Sequence, residues 1–233
     1  MPNPTVRPSP AGCVFDAYGT LFDVGGAVAQ CAESFGPDAA AFVACWRDKQ
    51  LQYTWLRSIQ GRYVDFERIT ADALDYALEA LAIGTPSLRD RLLELYFSLP
   101  AHPDAHGALA ELRTAGIKVL ILSNGTPAML EQAAAASGLA PLLDGILSVE
   151  SVGVYKPDAR VYTLASTALA APAEQIIFVS ANAWDAYAAA DFGFRAVWCN
   201  RRGQPRERLP TMPEREIRSL SELPAVLGSR PSV

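Results

Sequence analysis

The sequence predicts an α/β fold built on a parallel sheet, with a helical segment inserted after the first strand. Three observations carry that prediction. Short apolar runs, most of them rich in β-branched residues, recur at 13–15, 119–122, 145–149, 176–179 and Arg195–Cys199, and runs this short and this apolar mark strands buried on both faces. Helix-forming stretches separate the later runs, at about 103–115, 127–137, 158–169 and 184–192, and no hairpin signal lies between them,. From 24 to 99 the chain reads as helix throughout, with Leu74, Leu78 and Leu81 at helical spacing and no convincing strand,.

A β-α-β-α alternation implies a parallel sheet with helices on both faces, a Rossmann-like core. The expected organisation is a core at 11–23 and 100–225, a helical cap at 24–99, and tails at 1–10 and 226–233. A chain of 233 residues is long enough to bury a core with such an insert,.

Composition removes several classes of function. Half of the residues are hydrophobic and 19% are charged, and no apolar run approaches the roughly 18 residues that suggest a membrane span. The net charge of -5 argues against a nucleic-acid surface, because phosphate backbones need clustered cations. Arg201, Arg202, Arg206 and Arg208 have Asp191, Glu207 and Glu214 near them in sequence, and read as a solvated face,. The opening MPNPTVRPSP has four prolines and no apolar centre, so it reads as a loose tail, and the cytoplasm is the expected location,. Cys13, Cys31, Cys45 and Cys199 are dispersed among apolar neighbours and read as free thiols,. His102 and His106 have a zinc-like spacing, but Pro103 makes that stretch a helix start and no third ligand follows; a surface loop is the expectation,.

In an open parallel sheet, ligands sit beyond the carboxyl ends of the strands. Here those ends are polar: Asp16 follows the first run, Ser123 and Asn124 the second, Lys156 comes after the third, and Ser180, Asn182 and Asp185 follow the fourth. Each residue alone has a bland explanation, as a helix cap, a turn residue or an exposed side chain. Four polar strand ends on one edge point instead to a shared active site. Asp16 is the candidate nucleophile, since a carboxylate beside a cation can displace a leaving group and form an ester that water later opens. Lys156 is the candidate cation. Thr126 as N-cap with Pro127 in the first turn makes an anion-friendly helix terminus close by.

These residues also resemble a known family. FDAYGTLFDV (15–24), ILSNG (121–125), YKPDARVY (155–162) and FVSANAWD (178–185) are similar to the four motifs of the haloacid dehalogenase superfamily. WRDKQLQYTWLR (46–57) and GRYVDF (61–66) resemble the lid of its L-2-haloacid dehalogenases. That resemblance implies that Asp16 attacks C2 of a small 2-haloalkanoic acid, releasing halide and leaving an enzyme-bound ester. Arg47, Asn124 and Trp184 would receive the halide, and Ser123, with backbone N–H groups near Tyr18 and at Thr126, would bind the substrate carboxylate. Thr20 and Ser180 would position Asp16, Lys156 would keep it ionised, and Tyr162 would support the network. Asn182 and Asp185 would hold Lys156 and orient the hydrolytic water, with Asp185 as base. Tyr18, Leu51, Phe66 and Trp184 would form an apolar wall. The resemblance further implies a homodimer, as do the large apolar residues of the lid.

The same resemblance separates this chain from the magnesium-dependent phosphatases of the superfamily. Those carry a second aspartate two residues after the nucleophile, whose backbone serves the metal site, where this chain has Tyr18. With Ser180, Ala181 and Asn182 ahead of a single Asp185, too few carboxylates remain for a magnesium site,, and neither metal nor cofactor is expected. Halide is a stable anion and leaves without a metal or a proton, unlike a phosphoryl or alkoxide group. One departure from the family pattern stands beside Arg47, where Asp48 replaces a Gln and would put a negative charge near the pocket rim. A phosphatase, a non-catalytic small-acid binder and a hydrolase of another activated carboxylate remain the alternatives.

Overall fold

The structure, a computed structural model, describes residues 9–83 and 85–228. The expected tails lie largely outside the described residues, at 1–8 and 229–233. Six parallel strands form one sheet in the order β3-β2-β1-β4-β5-β6, with β1 Gly12–Phe15, β2 Val119–Ser123, β3 Gly145–Ser148, β4 Ile176–Ser180, β5 Arg195–Cys199 and β6 Arg215–Ile217. Every residue of β1, β2 and β4 is buried, which is why these strands read as unbroken apolar runs. Helices α5 (Ala105–Thr114), α6 (Pro127–Ala136), α7 (Ala159–Leu169) and α8 (Ala183–Phe192) supply the crossovers, and α9 (Leu223–Gly228) closes the described chain.

The chain winds from β1 through β2 to β3 in one direction, then returns past β1 to lay down β4, β5 and β6 on the other side. The direction of winding therefore reverses between β1 and β4, the place where open α/β sheets leave a crevice at the strand ends. Register places the functional groups there. Phe15 pairs with Ile121 on one side and Val179 on the other, so Asp16 leaves the sheet beside Ser180; its backbone N–H still donates to Val179 O, at 2.9 Å.

The segment after β1 is helical: α1 (Gly25–Ala29), α2 (Ala39–Ile59), α3 (Phe66–Ala80) and α4 (Pro86–Phe97). Asp65 caps α3 by accepting from Arg68 N, and Thr85 with Pro86 starts α4,. Phe42, Trp46, Phe66, Ile69, Leu74, Leu92 and Tyr96 are buried among these helices. A buried polar chain runs through them: Tyr96 Oη donates to Gln50 Oε1 (3.4 Å), Gln50 Nε2 to Thr70 Oγ1 (2.9 Å), and Thr70 Oγ1 to Phe66 O (2.7 Å). Gln50, Thr70 and Tyr96 thereby each have a partner,.

Differences from the sequence reading have local causes. The third strand stops at Ser148, one residue early, because Ser148 accepts from Glu150 N and starts a tight turn. Helix α5 begins at Ala105 rather than 103, where Asp104 is engaged by Arg201. Strand β6 was not expected; its three residues carry no periodic signal, and pairing with β5 is what extends them,.

Candidate active site

Asp16 is 6% exposed, and its two oxygens are held very differently. Oδ2 accepts from Thr20 Oγ1 (3.0 Å), Ser180 Oγ (3.3 Å) and Asn182 Nδ2 (2.7 Å). Among the described residues, Oδ1 accepts only from Lys156 Nζ, at 3.2 Å. The direction of the hydroxyl bonds is fixed by the backbone behind them: Ala181 N donates to Thr20 Oγ1 (2.8 Å) and Asn182 N to Ser180 Oγ (3.1 Å). Each hydroxyl thus has a donor on its acceptor side, which leaves its proton for Asp16.

Lys156 is 1% exposed and lies between two carboxylates, 3.2 Å from Asp16 Oδ1 and 2.8 Å from Asp185 Oδ2, with its ammonium 4.9 Å from the centre of the Phe178 ring. Burial pushes the lysine down, but the charges of Asp16 and Asp185 outweigh it and hold its pKa above the usual value,. Asp185 is fully buried; burial and the Asp16 charge push its pKa up, against the pull of Lys156. Its other oxygen accepts from Tyr162 Oη at 2.7 Å. Burial and the adjacent Asp185 push Tyr162 well above the ordinary phenol range, so it remains a donor.

Asn182 differs from expectation. Its amide does not hold Lys156: Nδ2 donates to Asp16 Oδ2 and to Tyr18 O (3.1 Å), while Oδ1 accepts from Arg47 Nη2 at 3.4 Å. The side chain continues from the start of α8 across to the nucleophile because Tyr18 O and Asp16 Oδ2 are both acceptors on that side. Arg47, on α2, reaches the same place and also donates to Tyr18 O at 3.5 Å. Asp48 is exposed, and Arg47 turns instead to Tyr18 O and Asn182 Oδ1.

Ser123 is buried and its Oγ accepts from Gly125 N (3.2 Å), which leaves its proton to donate. Asn124 Oδ1 accepts from Lys156 N (3.2 Å), tying the second strand end to the lysine. Thr126 caps α6 by accepting from Met129 N, with Pro127 in the first turn, as the sequence predicts. Tyr18 is buried and packs on Phe66 (ring centroids 5.5 Å apart) and Tyr96 (5.2 Å, stacked). Trp184 meets Trp55 edge to face at 5.5 Å. Leu51 is half-buried one turn after Arg47 on α2. Beside Lys156, a depression of about 510 Å³ is lined by Trp55, Ser58, Ile59, Tyr155 and Pro157. Sequence reasoning passed over Tyr96 and Gln50, since a tyrosine and a glutamine at helical spacing give no sign of which way they face.

The chain matches the model of the haloacid dehalogenase-like hydrolases over residues 10–193. The chain belongs to this family. Among its relatives, (S)-2-haloacid dehalogenase 1 of Pseudomonas sp. (strain CBS-3) is 44% identical over 92% of this chain and 95% of that one. The haloacetate dehalogenase H-2 of Moraxella sp. (strain B) is 36% identical over 86% and 90%. A solved L-2-haloacid dehalogenase of Xanthobacter autotrophicus, with chloropropionic acid covalently bound, is 32% identical with a TM-score of 0.87 and covers 94% of this chain and 98% of that one.

For a haloacid dehalogenase-like hydrolase, the surroundings of Asn182 bear on a metal site. Its N–H group lies between the nucleophile's oxygen and the backbone carbonyl two residues on, where a cation shared by those two oxygens would have to sit. Lys156 occupies the corresponding place between Asp16 and Asp185. Donors aimed at these oxygens do not fit a magnesium ion, which needs oxygens turned toward it. Among the described residues, no group of three His, Cys, Asp or Glu side chains is close enough to hold a metal ion. His102 Nε2 lies 3.1 Å from Gly19 O, while His106 is exposed on α5.

Proposed function

We propose that this protein is an (S)-2-haloacid dehalogenase that hydrolyses short L-2-haloalkanoic acids to D-2-hydroxy acids and halide. The observation that carries the reading is the unequal occupation of Asp16. Oδ1, which among the described residues accepts a hydrogen bond only from Lys156, has a lone pair to attack C2 from the side opposite the halogen,. The C2–halogen bond breaks with its electron pair as the new O–C2 bond forms, which inverts that carbon. Oδ2 then becomes the ester carbonyl, already facing Thr20, Ser180 and Asn182. When water attacks Cγ of Asp16, those three donors meet the charge that develops on Oδ2; as the bond from Asp16 to the product oxygen breaks, the alkoxide takes the proton that Asp185 drew from the water, and Asp16 ionises again beside Lys156. Asp185 takes the proton from water; its raised pKa makes it a stronger base than an ordinary carboxylate,.

Ser123 and the N–H groups near Tyr18 and Thr126 hold the substrate carboxylate, and Arg47, Asn124 and Trp184 receive the halide. Tyr18, Leu51, Phe66 and Trp184 wall the alkyl chain. Residues 24–99 act as a cap on the core of 11–23 and 100–225, delivering Arg47 across the boundary. The protein acts as a homodimer in the cytoplasm, without metal or cofactor. Leu56 (46%), Ile59 (83%) and Tyr76 (41%) are exposed apolar side chains on α2 and α3, and supply a face for a second copy,.

The test is halide release from L-2-chloropropionate and D-2-chloropropionate in a chelating buffer, with p-nitrophenyl phosphate and magnesium as the parallel assay. Chloride from the L isomer alone, undiminished by the chelator, is expected. Phosphate release with no chloride would overturn the reading.

A further inference from the structure

Two residues with no part in the proposed chemistry, His102 and Arg201, meet on the turn that follows the nucleophile. Three consecutive carbonyls of that turn are bonded from outside the site. His102 Nε2 lies 3.1 Å from Gly19 O, Arg201 Nη2 donates to Thr20 O at 2.9 Å, and His102 N donates to Leu21 O at 2.8 Å. A carbonyl only accepts, so His102 carries its proton on Nε2. The turn itself is tight, with Gly19 at φ +87 and the Thr20, Leu21 and Phe22 amides all donating to Ala17 O.

Arg201 is held in turn. Its guanidinium forks onto both oxygens of Asp104, Nη1 at 2.7 Å and Nη2 at 2.9 Å. Asp104 also accepts from Ser219 Oγ (2.7 Å) and Leu220 N (2.9 Å). An arginine locked by a two-point pair and then bonded to a backbone carbonyl is a rigid strut, because the planar fork leaves it one orientation. On the inner side of the same residue, Thr20 Oγ1 donates to Asp16 Oδ2. Thr20 therefore joins the strut on its carbonyl side to the nucleophile on its side-chain side.

We infer that Arg201, fixed by Asp104 and assisted by His102, is a positioning residue that sets the orientation of Asp16 through Thr20. The sequence offered Arg201 as part of a solvated basic face and His102 as a loop residue; the structure brings both to the nucleophile turn. The inference rests on Asp16 being the nucleophile. It predicts a defect that falls mainly on the chemical step, because Ser123, Thr126 and Arg47, which serve substrate and halide in the proposed reading, belong to other elements, while the N–H groups near Tyr18 share the turn and carry a smaller effect on binding.

The test is a double-mutant cycle on halide release with Thr20→Val and Arg201→Met, with hydrogen exchange at 17–22 as a readout that needs no activity. Arg201→Met should lower kcat by about tenfold to a hundredfold, the range for lost positioning of a reacting group, while KM rises by a smaller factor. Adding it to Thr20→Val should cost almost nothing more, since both break one linkage. Arg201→Lys should recover part of kcat. Exchange of the Thr20 and Leu21 amides should rise in Arg201→Met while that of β1 does not. A folded Arg201→Met protein with wild-type kcat, or losses that multiply in the double variant, would overturn the inference. If Arg201→Met does not fold, His102→Ala takes its place in the cycle: a loss of kcat that Thr20→Val absorbs supports the linkage, and wild-type kcat or multiplying losses overturn it. If the wild type releases no halide, the dehalogenase reading fails on its own, and the exchange at 17–22 still decides whether Arg201 fixes the turn.

Discussion

At the scale of the residue, the two carboxylates joined by Lys156 divide the work through their surroundings. Among the described residues, Asp16 keeps one oxygen bonded only to Lys156, whereas Asp185 has each oxygen held, one by Lys156 and one by Tyr162. Since burial and the Asp16 charge raise Asp185, it takes up its proton above the ordinary carboxylate value near 3.8. A base must be ionised, so kcat should fall as pH drops through that raised value, and Asp185→Asn should remove the limb along with most of the activity. Lys156 is raised above 10.5 by its two carboxylates, so its contribution to stability is complete below 10.5 and is lost only as pH climbs through the higher folded value,. A pH profile of kcat with its acid limb at or below 3.8 would contradict the raised value of Asp185. That Asp16, Lys156 and Asp185 come together was legible in the sequence as a convergence of strand ends, Asp16 directly after its apolar run and Lys156 and Asp185 a few residues beyond theirs. The partner of Asn182 was not: residue identity gives the donor, but only the fold shows that Asp16 Oδ2 and Tyr18 O, not Lys156, lie within its reach.

At the scale of the element, strand ends and helix starts put these groups in place, and one glycine makes room for the pocket wall. A Cβ at Gly125 would come within 2.9 Å of Tyr18 Cε2 and Oη and 3.1 Å of Leu130. Tyr18 cannot retreat easily, because Phe66 and Tyr96 pack on its other sides,. Gly125→Ala should therefore push the Tyr18 ring toward the substrate, raising KM by about fivefold or more and costing about 1–3 kcal/mol of stability from overpacking. Steady-state kinetics beside thermal unfolding checks this, and unchanged KM would show that Tyr18 does not line the pocket. The strands β1 to β5 and the helices between them were legible because buried parallel strands and amphipathic or alanine-rich helices differ in length and period. The short β6 carries neither signal, and the sites of Tyr96 and Gln50 depend on how α2, α3 and α4 pack, which no local pattern reveals.

At the scale of the whole molecule, the reversal of winding between β1 and β4 makes the crevice, and the helices inserted after β1 bring Arg47 to it. The sequence showed the insertion as a long helical stretch with no strand, but its contact with the core depends on long-range partners such as Arg47 with Asn182 and Tyr18 with Phe66, which composition does not announce. The exposed Ile59, Leu56 and Tyr76 predict that sedimentation will find about twice the 25.0 kDa chain mass, and that Ile59→Glu will shift the protein to monomer; a monomeric wild type would exclude the proposed pairing. The covalent role of Asp16 remains the centre of the account. The direct test is a single turnover of L-2-chloropropionate by excess enzyme in oxygen-18 water, followed by mass analysis of the peptide that contains Asp16. Heavy oxygen in Asp16 and ordinary oxygen in the hydroxy acid is the result this account predicts, because water opens the ester at Cγ. Heavy oxygen in the hydroxy acid and none in Asp16 would mean that water attacks C2 directly, and would contradict it.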